Sequence, residues 1–369
     1  MKIGLLGFGV VGRGVYEITS ARDDMQVTKV LCLEDISLPD AQTVKDFNQI
    51  LEDSEIDTVV EAMGGLHPAY EFVRAALGAR KNVVTSNKAL VCTFYDELIP
   101  LAERMGVKFR ATAAVGGGIG WLSELERSRR VQNIRQVGGI MNGTCNYILD
   151  SMTCAGLSYA EALRQAQELG YAERNPSTDV DGVDTWHKVI LSSNIAFGVS
   201  LDKDTVPVAG IGSISAEDVA QFTAHGLVCK LISTGKRTKN GYSAYVQPTL
   251  VPAGQPEAAV PKNYNLITFC GEISDRMSFF GQGAGRYPTA YNVVQDLADV
   301  CDGKGFYAPY GGKVRAKNDG CLRYYVRGGW NGEEEQVWGN AVVTKPVPVD
   351  EMHRWLKENP HAFIAAIGN

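Results

Sequence analysis

The sequence predicts an α/β fold, a doubly wound parallel sheet accompanied by a second, α+β domain. Three observations carry this. A short apolar stretch at residues 3–6 runs straight into glycines spaced as Gly7-Phe8-Gly9-Val10-Val11-Gly12. Apolar runs then alternate with amphipathic segments as far as about residue 120, the signature of strands and covering helices in turn. Beyond that point the alternation stops, and longer amphipathic helices mix with separate strands.

Residues 3–6 read as a buried strand and 10–20 as the helix after it. Residues 27–33 and 56–63 are the next strands, the latter ending in Gly64-Gly65. Residues 68–77 predict a helix, with Ala69, Phe72, Val73 and Ala76 on one face. Residues 82–85 predict a strand, followed by a helix to residue 105 and a strand at 107–114. In the second part, Ser158 caps a predicted helix that Gly170 stops, and residues 181–196 predict another. Strands are expected at 242–250 and 266–270, a loop at 252–261, a glycine-rich turn at 281–285 and a helix at 288–300. The tail from Cys321 predicts a strand at 322–327, a turn-rich stretch and a helix near 350–357. No internal repeat or low-complexity segment interrupts this order. The expected domains are 1–120 plus 283–320 for the parallel sheet, 121–282 for the second domain, and 321–369 as a C-terminal extension.

Composition narrows the function. The chain has 369 residues, 45% hydrophobic and 21% charged, enough to bury a core. Its net charge of -6, without a Lys/Arg-rich run, argues against nucleic acid as a partner. No apolar window reaches a membrane span. Eight cysteines without a CxxC pair predict reduced thiols in a cytoplasmic protein, and five histidines show no zinc-ligand spacing.

The glycine spacing has a mechanical reason. Gly7 makes the tight turn, Gly9 admits a pyrophosphate to the backbone, and Gly12 lets the helix pack closely on the sheet. The helix N-terminus then faces the phosphates with unpaired N–H groups. The competing reading is a glycine turn with no ligand. The second strand ends near Glu34, where a carboxylate bonds both ribose hydroxyls of NAD and repels the extra phosphate of NADP; a solvated loop acid is the alternative.

The segment from Gly170 to Lys188 is dense in carboxylates and runs into a helix. Asp184 and Lys188 lie four residues apart, on one helix face. An exposed pair of this kind contributes little. The apolar run Val189-Ile190-Leu191 that follows instead predicts a partly desolvated lysine beside a carboxylate, an arrangement suited to proton transfer. Ser86 and Lys88 follow the strand at 82–85, at the end where doubly wound sheets bind ligands; an ordinary surface lysine is the other reading. Asn142-Gly143-Thr144 offers backbone donors before an apolar helix, or a plain turn.

Together these segments resemble the homoserine dehydrogenase family. The shared stretches are Gly7–Gly12, Glu61-Ala62-Met63-Gly64-Gly65, Thr85-Ser86-Asn87-Lys88-Ala89-Leu90, Ala114-Val115-Gly116-Gly117-Gly118, Asn142-Gly143-Thr144, Gly170-Tyr171-Ala172-Glu173 with Asp179, Asp184 and Lys188, and Gly283-Ala284-Gly285 with Pro288-Thr289-Ala290. They occur in the family's order. The resemblance implies a Rossmann domain joined to a catalytic and dimerisation domain, a homodimer formed through sheet pairing, and interconversion of L-homoserine and L-aspartate 4-semialdehyde with NAD(P). It makes Lys188 the proton donor and acceptor, oriented by Asp184 and assisted by Lys88. Glu173 and Asp179 would hold the small amino-acid substrate, Glu173 through its ammonium group, with Gly143, Thr144 and Tyr171 lining the pocket. Gly7, Phe8, Gly9, Val10, Val11, Gly12, Glu34, Met63, Gly64, Ser86, Lys88 and Gly283 would contact the cofactor.

The sequence also departs from the family. Thr112 stands where a glutamate of a sodium site is usual, leaving the carbonyls of Val115, Gly117 and Ile119 as the remaining ligands. Gly120 replaces a proline, and Arg174-Asn175 a more acidic pair. The second strand often ends in arginine; Glu34 there favours NAD. These changes leave open a dehydrogenase of another small amino acid or semialdehyde, and a catalytically weak NAD-binding sensor. Arg323-Tyr324-Tyr325-Val326-Arg327 begins like the link to a regulatory ACT domain, but the chain stops too soon for one, so no threonine feedback is expected.

Overall fold

The computed structural model describes residues 1–305 and 311–368. In chain order the elements begin with β1 Lys2–Leu6, α1 Val10–Ser20, β2 Gln26–Leu31, β3 Gln42–Val44, α2 Asn48–Leu51, β4 Thr58–Glu61, α3 Ala69–Gly78, β5 Asn82–Thr85, α4 Lys88–Met105, β6 Phe109–Arg110 and α5 Trp121–Ser128. They continue with β7 Ile134–Ile140, α6 Gly143–Ala155, α7 Tyr159–Glu168, α8 Ser177–Val180, α9 Val183–Phe197, β8 Ser200–Leu201, α10 Ala216–Ala224, β9 Leu227–Thr238, β10 Gly241–Pro252, β11 Tyr264–Gly271, β12 Arg276–Gln282 and α11 Arg286–Cys301. The last are β13 Lys313–Val314, β14 Cys321–Leu322, β15 Tyr324–Arg327, β16 Glu334–Trp338, β17 Ala341–Thr344, β18 Val347–Pro348, α12 Val349–Glu358 and β19 Phe363–Ile367. Two compact units result: residues 1–131, 194–200 and 282–313, and residues 132–193, 201–281 and 314–369. Of the expected 283–320 segment, residues 306–310 lie outside the described residues.

The first unit holds a six-stranded sheet in the order β3-β2-β1-β4-β5-β6, parallel throughout. Its order reverses between β1 and β4, the switch point where such sheets bind ligands. The core joins Ile3 and Leu5 of β1, Val15 of α1, Val27 and Val30 of β2, and Ala290, Val293 and Leu297 of α11. Each fully buried aliphatic side chain contributes about 1.5–3 kcal/mol. The strand expected at 107–114 is shorter: only Phe109–Arg110 pair, and Thr112–Ala114 form a 3₁₀ turn. Small residues there wind tightly around a buried hydrogen-bond cluster.

The second unit holds a nine-stranded sheet in the order β12-β11-β7-β9-β10-β19-β15-β17-β16. All its pairings from β11 to β16 are antiparallel except β10 with β19. Ser158 caps α7 through a reciprocal capping box with Glu161, and Gly170 follows in the left-handed region at φ 74°. Residues after 321 supply four strands, β15, β16, β17 and β19. The expected strand at 322–327 is split at Arg323, and the turn-rich stretch contains β16 and β17. Their period was hidden because β16 is an edge strand whose first four residues are all exposed.

One buried histidine ties α12 to this sheet. His353 is 3% exposed and its Nε2 donates to Gln247 Oε1 at 2.9 Å. Burial pushes its pKa down from 6.5 to about 4. The folded state therefore holds the ring neutral while the unfolded chain takes up a proton below pH 6.5. Stability attached to this group is intact above pH 6.5 and is lost as pH falls toward 4, by about 3 kcal/mol in all. Urea unfolding followed across that range is expected to show a slope that His353→Gln flattens.

Candidate active site

In the first unit, the β1–α1 turn is shaped by close approach. Gly7 has φ 91° and Gly12 leaves no room for a Cβ, which would lie 2.1 Å from the Gly7 carbonyl, whereas a Cβ on Gly9 would meet open space. A cleft of about 950 Å³ opens here, lined among others by Gly7, Phe8, Gly9, Glu34, Met63 and Arg286. Glu34 is exposed and lies 3.5 Å from Arg13 Nη2; the Arg13 guanidinium also sits 5.1 Å from the centre of the Phe8 ring. A second cleft of about 390 Å³ includes Gly9, Val10, Val11, Gly64, Ser86 and Lys88. An open glycine turn at a helix N-terminus, with the Glu34 carboxylate in the loop three residues after β2, fits a dinucleotide.

Two residues outside the expected set hold these loops. Glu61 is fully buried and accepts from the N–H groups of Met63 at 2.8 Å and Gly64 at 3.3 Å, and from the Thr85 hydroxyl. Asn87 caps α4 by accepting from Leu90 N–H at 3.1 Å and donates to the Gly65 carbonyl at 2.6 Å. The loops after β4 and β5 are thereby fixed to each other. Gly12 lies beneath the turn, and Gly283 lies against Gly117, where a Cβ would come within 2.6 Å of it; neither lines the two clefts.

In the second unit, Lys188 and Asp184 share a buried face of α9, 7% and 5% exposed. Lys188 Nζ lies 2.7 Å from Asp184 Oδ2 and donates to the Met141 carbonyl at 2.7 Å. Asn142 organises the rest. It caps α6 by accepting from Cys145 N–H at 2.8 Å, and its Nδ2 donates to Asp179 Oδ1 at 2.7 Å and Asp184 Oδ2 at 2.8 Å. Burial holds the Asp179 carboxyl above the usual range, the Asn142 hydrogen bond opposes this, and the Asp184 charge pushes upward as well. Thr144 Oγ1 donates to the Tyr171 carbonyl at 2.6 Å, which anchors the segment after α7 to the start of α6. Gly143 packs against Asn263, whose carbonyl a Cβ would meet at 2.5 Å. Tyr171 and Glu173 are exposed, and the Glu173 backbone carbonyl accepts from Gln167.

The second unit holds a lysine, two carboxylates and an orienting amide in one cluster, and the first unit holds an open glycine turn; these are the parts of a proton-coupled dehydrogenase. Comparison with known proteins agrees. The family profile described as homoserine dehydrogenase matches residues 121–298, and that of the homoserine dehydrogenase NAD-binding domain residues 7–112. The homoserine dehydrogenase of Synechocystis is 36% identical over 316 residues, covering 81% of this chain and 73% of that protein. The chain belongs to the homoserine dehydrogenase family. The enzyme of Corynebacterium glutamicum is 38% identical, with 82% and 72% covered. The crystal structure of a homoserine dehydrogenase from Thiobacillus denitrificans matches with a TM-score of 0.89 at 26% identity, covering 100% of this chain and 98% of that one. That of the S. aureus homoserine dehydrogenase at pH 7.5 matches with a TM-score of 0.80 at 28% identity, covering 100% and 99%.

As a homoserine dehydrogenase, the chain is an NAD(P)-dependent oxidoreductase acting on a CH–OH group of a small substrate. The sensor and the other-substrate readings find no support. Of the expected residues, Asp179, Asp184 and Lys188 form one hydrogen-bonded cluster through Asn142. From sequence, Asn142 stands out only as part of the Asn142-Gly143-Thr144 turn, and its bridge to Asp179 and Asp184 is new; an asparagine directly before a helix signals a cap. The Met141 carbonyl had no signal, because every residue carries one.

Proposed function

We propose that Lys188 moves the proton at the substrate oxygen, with Asp184 orienting it. The cluster supports this reading: two of the three N–H directions of the ammonium are taken by Asp184 and the Met141 carbonyl, which leaves one for a hydroxyl or carbonyl oxygen. A bound nicotinamide would supply the hydride acceptor; when homoserine is oxidised, its O–H proton passes to the Lys188 amine. In the reverse direction the ammonium stabilises charge building on the aldehyde oxygen and then returns the proton. Lys88 assists at that oxygen. Glu173 takes the substrate ammonium and Asp179 holds the substrate beside it, in a pocket edged by Gly143, Thr144 and Tyr171.

NAD is the preferred cofactor in this proposal. Gly7, Phe8, Gly9, Val10, Val11, Met63, Gly64, Ser86 and Lys88 line the clefts that would hold it, with Glu34 toward its ribose, while Gly12 beneath the turn and Gly283 against Gly117 would act through the backbone they support. Glu34 also neutralises Arg13, so the variant Glu34→Arg supplies a new guanidinium and releases a second toward a 2′-phosphate. Steady-state assays with homoserine are expected to show the kcat/KM ratio for NADP over NAD rising by about tenfold or more, since a charge reversal at a phosphate contact is worth upward of 1.4 kcal/mol. An unchanged ratio would remove Glu34 from the specificity assignment.

The working form we propose is a cytoplasmic homodimer. All eight cysteines are free thiols, as in a reducing compartment. Among the described residues no helix is long and apolar enough to cross a membrane. Strand β12 lies at one edge of the nine-stranded sheet and exposes Met277 and Phe280, an apolar edge suited to pairing with a second copy.

A further inference from the structure

The family resemblance implies a monovalent cation held by the carbonyls of Val115, Gly117 and Ile119 and by a carboxylate at position 112. The residues present do not fit that ion. Thr112 is 1% exposed and brings no charge. Its hydroxyl donates to Asp296 Oδ1 at 2.6 Å, lies 2.8 Å from Ser123 Oγ, and its N–H donates to Asp296 Oδ2 at 2.7 Å. The carbonyl of Gly117 accepts from the buried amide Nδ2 of Asn292. The carbonyl of Ile119 accepts from Trp121 N–H at 2.7 Å. Two of the three oxygens thus face donor hydrogens, whose positive ends repel a cation at the same place. A carbonyl keeps a second lone pair, but a hard cation needs several oxygens converging at once.

Positive charge is already present in covalent form. The Arg110 guanidinium is 2% exposed and lies 2.9 Å from Asp296 Oδ1, 3.2 Å from Glu126 Oε2 and 2.9 Å from Asp299 Oδ2. It also donates to Ser123 Oγ at 3.0 Å and to the Gly305 carbonyl at 3.1 Å. Lys304 adds a second cation 3.5 Å from Asp299. The planar fork meets three carboxylates from α5 and α11, the work for which arginine is suited. Asp296 then passes this order to the 112–119 turn through both of its bonds to Thr112.

We propose that Arg110 and the Asn292 amide replace the monovalent cation in this enzyme, so that neither the fold of the 112–119 turn nor turnover requires Na⁺ or K⁺. The guanidinium holds the three carboxylates together as their shared donor, and the amide ties the Gly117 carbonyl to α11. A resident arginine cannot dissociate, so this enzyme stays ordered across ionic conditions in which a cation site would empty.

The test exchanges Na⁺ and K⁺ for tetramethylammonium at constant ionic strength in the purified full-length enzyme. Thermal unfolding and ²³Na line broadening read the site without reference to activity; kcat/KM with homoserine is measured alongside. The expected result is a Tm unchanged within about 1 °C, no saturable ²³Na broadening, and kcat/KM within about twofold. A loss of Tm or turnover in tetramethylammonium that Na⁺ or K⁺ titrates back would overturn the proposal. The Asn292→Ala variant tests the amide separately. It leaves a buried carbonyl without its donor, a cost of about 1–3 kcal/mol, and is expected to lower Tm by several degrees. A wild-type Tm in Asn292→Ala would show that the amide carries none of this function.

Discussion

Lys188→Ala is expected to lower kcat for homoserine oxidation by about 10³-fold or more, the upper part of the range for a positioned acid or base, with cofactor affinity unchanged. The cofactor half of this expectation follows from the glycine turn, Glu61 and Asn87, all built within the first unit. The catalytic half follows from the buried pair on α9, where Nζ lies 2.7 Å from Asp184. Alanine also strands a buried carboxylate, which by itself destabilises the fold, although Asn142 Nδ2 still donates to Asp184 at 2.8 Å. Lys188→Arg separates the two effects. Arginine keeps the charge and the Asp184 pairing but does not release a proton near neutral pH. It is expected to unfold near the wild-type temperature, bind NAD as measured by fluorescence quenching, and still fail to turn over. Substantial activity in Lys188→Arg would mean that Lys188 acts by charge alone.

The sequence revealed local order far better than distant pairing. Gly7–Gly12, the cap at Ser158 and the Asp184–Lys188 spacing are legible because each depends on residues within a turn or two of one another. The nine-stranded sheet was largely hidden. β7 contains Gly138 and Gly139, which blur any alternation, and β9 buries Lys230 completely, a polar residue at a core position. Lys230 is tolerated there because Asn146 Oδ1 and the Val260 carbonyl accept from it at 2.9 and 2.8 Å. The pairing of Arg110 with Asp296 spans 186 residues, and nothing in either neighbourhood points to the other. Asn142 was legible as part of a turn before a helix and illegible as a bridge, since its two carboxylate partners, 37 and 42 residues away, meet it only through the packing of α6, α8 and α9.

Ending the chain after Gly320 is expected to abolish folding of the second unit rather than yield a trimmed, active enzyme. Strand β19 pairs with β10 through Thr249–Ala366 and Leu250–Ile367, and with β15 on its other side. Its removal opens a long strand edge in the middle of the sheet, a template for aggregation. Tyr324, Tyr325, Val326, Phe363, Ile364 and Ala366 are at most 2% exposed. At about 1.5–3 kcal/mol for each large side chain, their loss matches the whole stability of an ordinary domain, about 5–15 kcal/mol. A charge is left behind too. Asp218 is fully buried and accepts from Tyr325 Oη at 2.7 Å and Arg327 Nε at 2.9 Å; both partners go with the tail, and an uncompensated buried carboxylate costs about 3–5 kcal/mol. The truncated chain should therefore appear in the insoluble fraction on expression. Arg327→Ala, which removes one Asp218 partner and keeps every strand, should remain soluble but melt several degrees lower. A soluble, fully active chain ending at Gly320 would mean that the sheet closes without β15 and β19, and that the tail is an appendage.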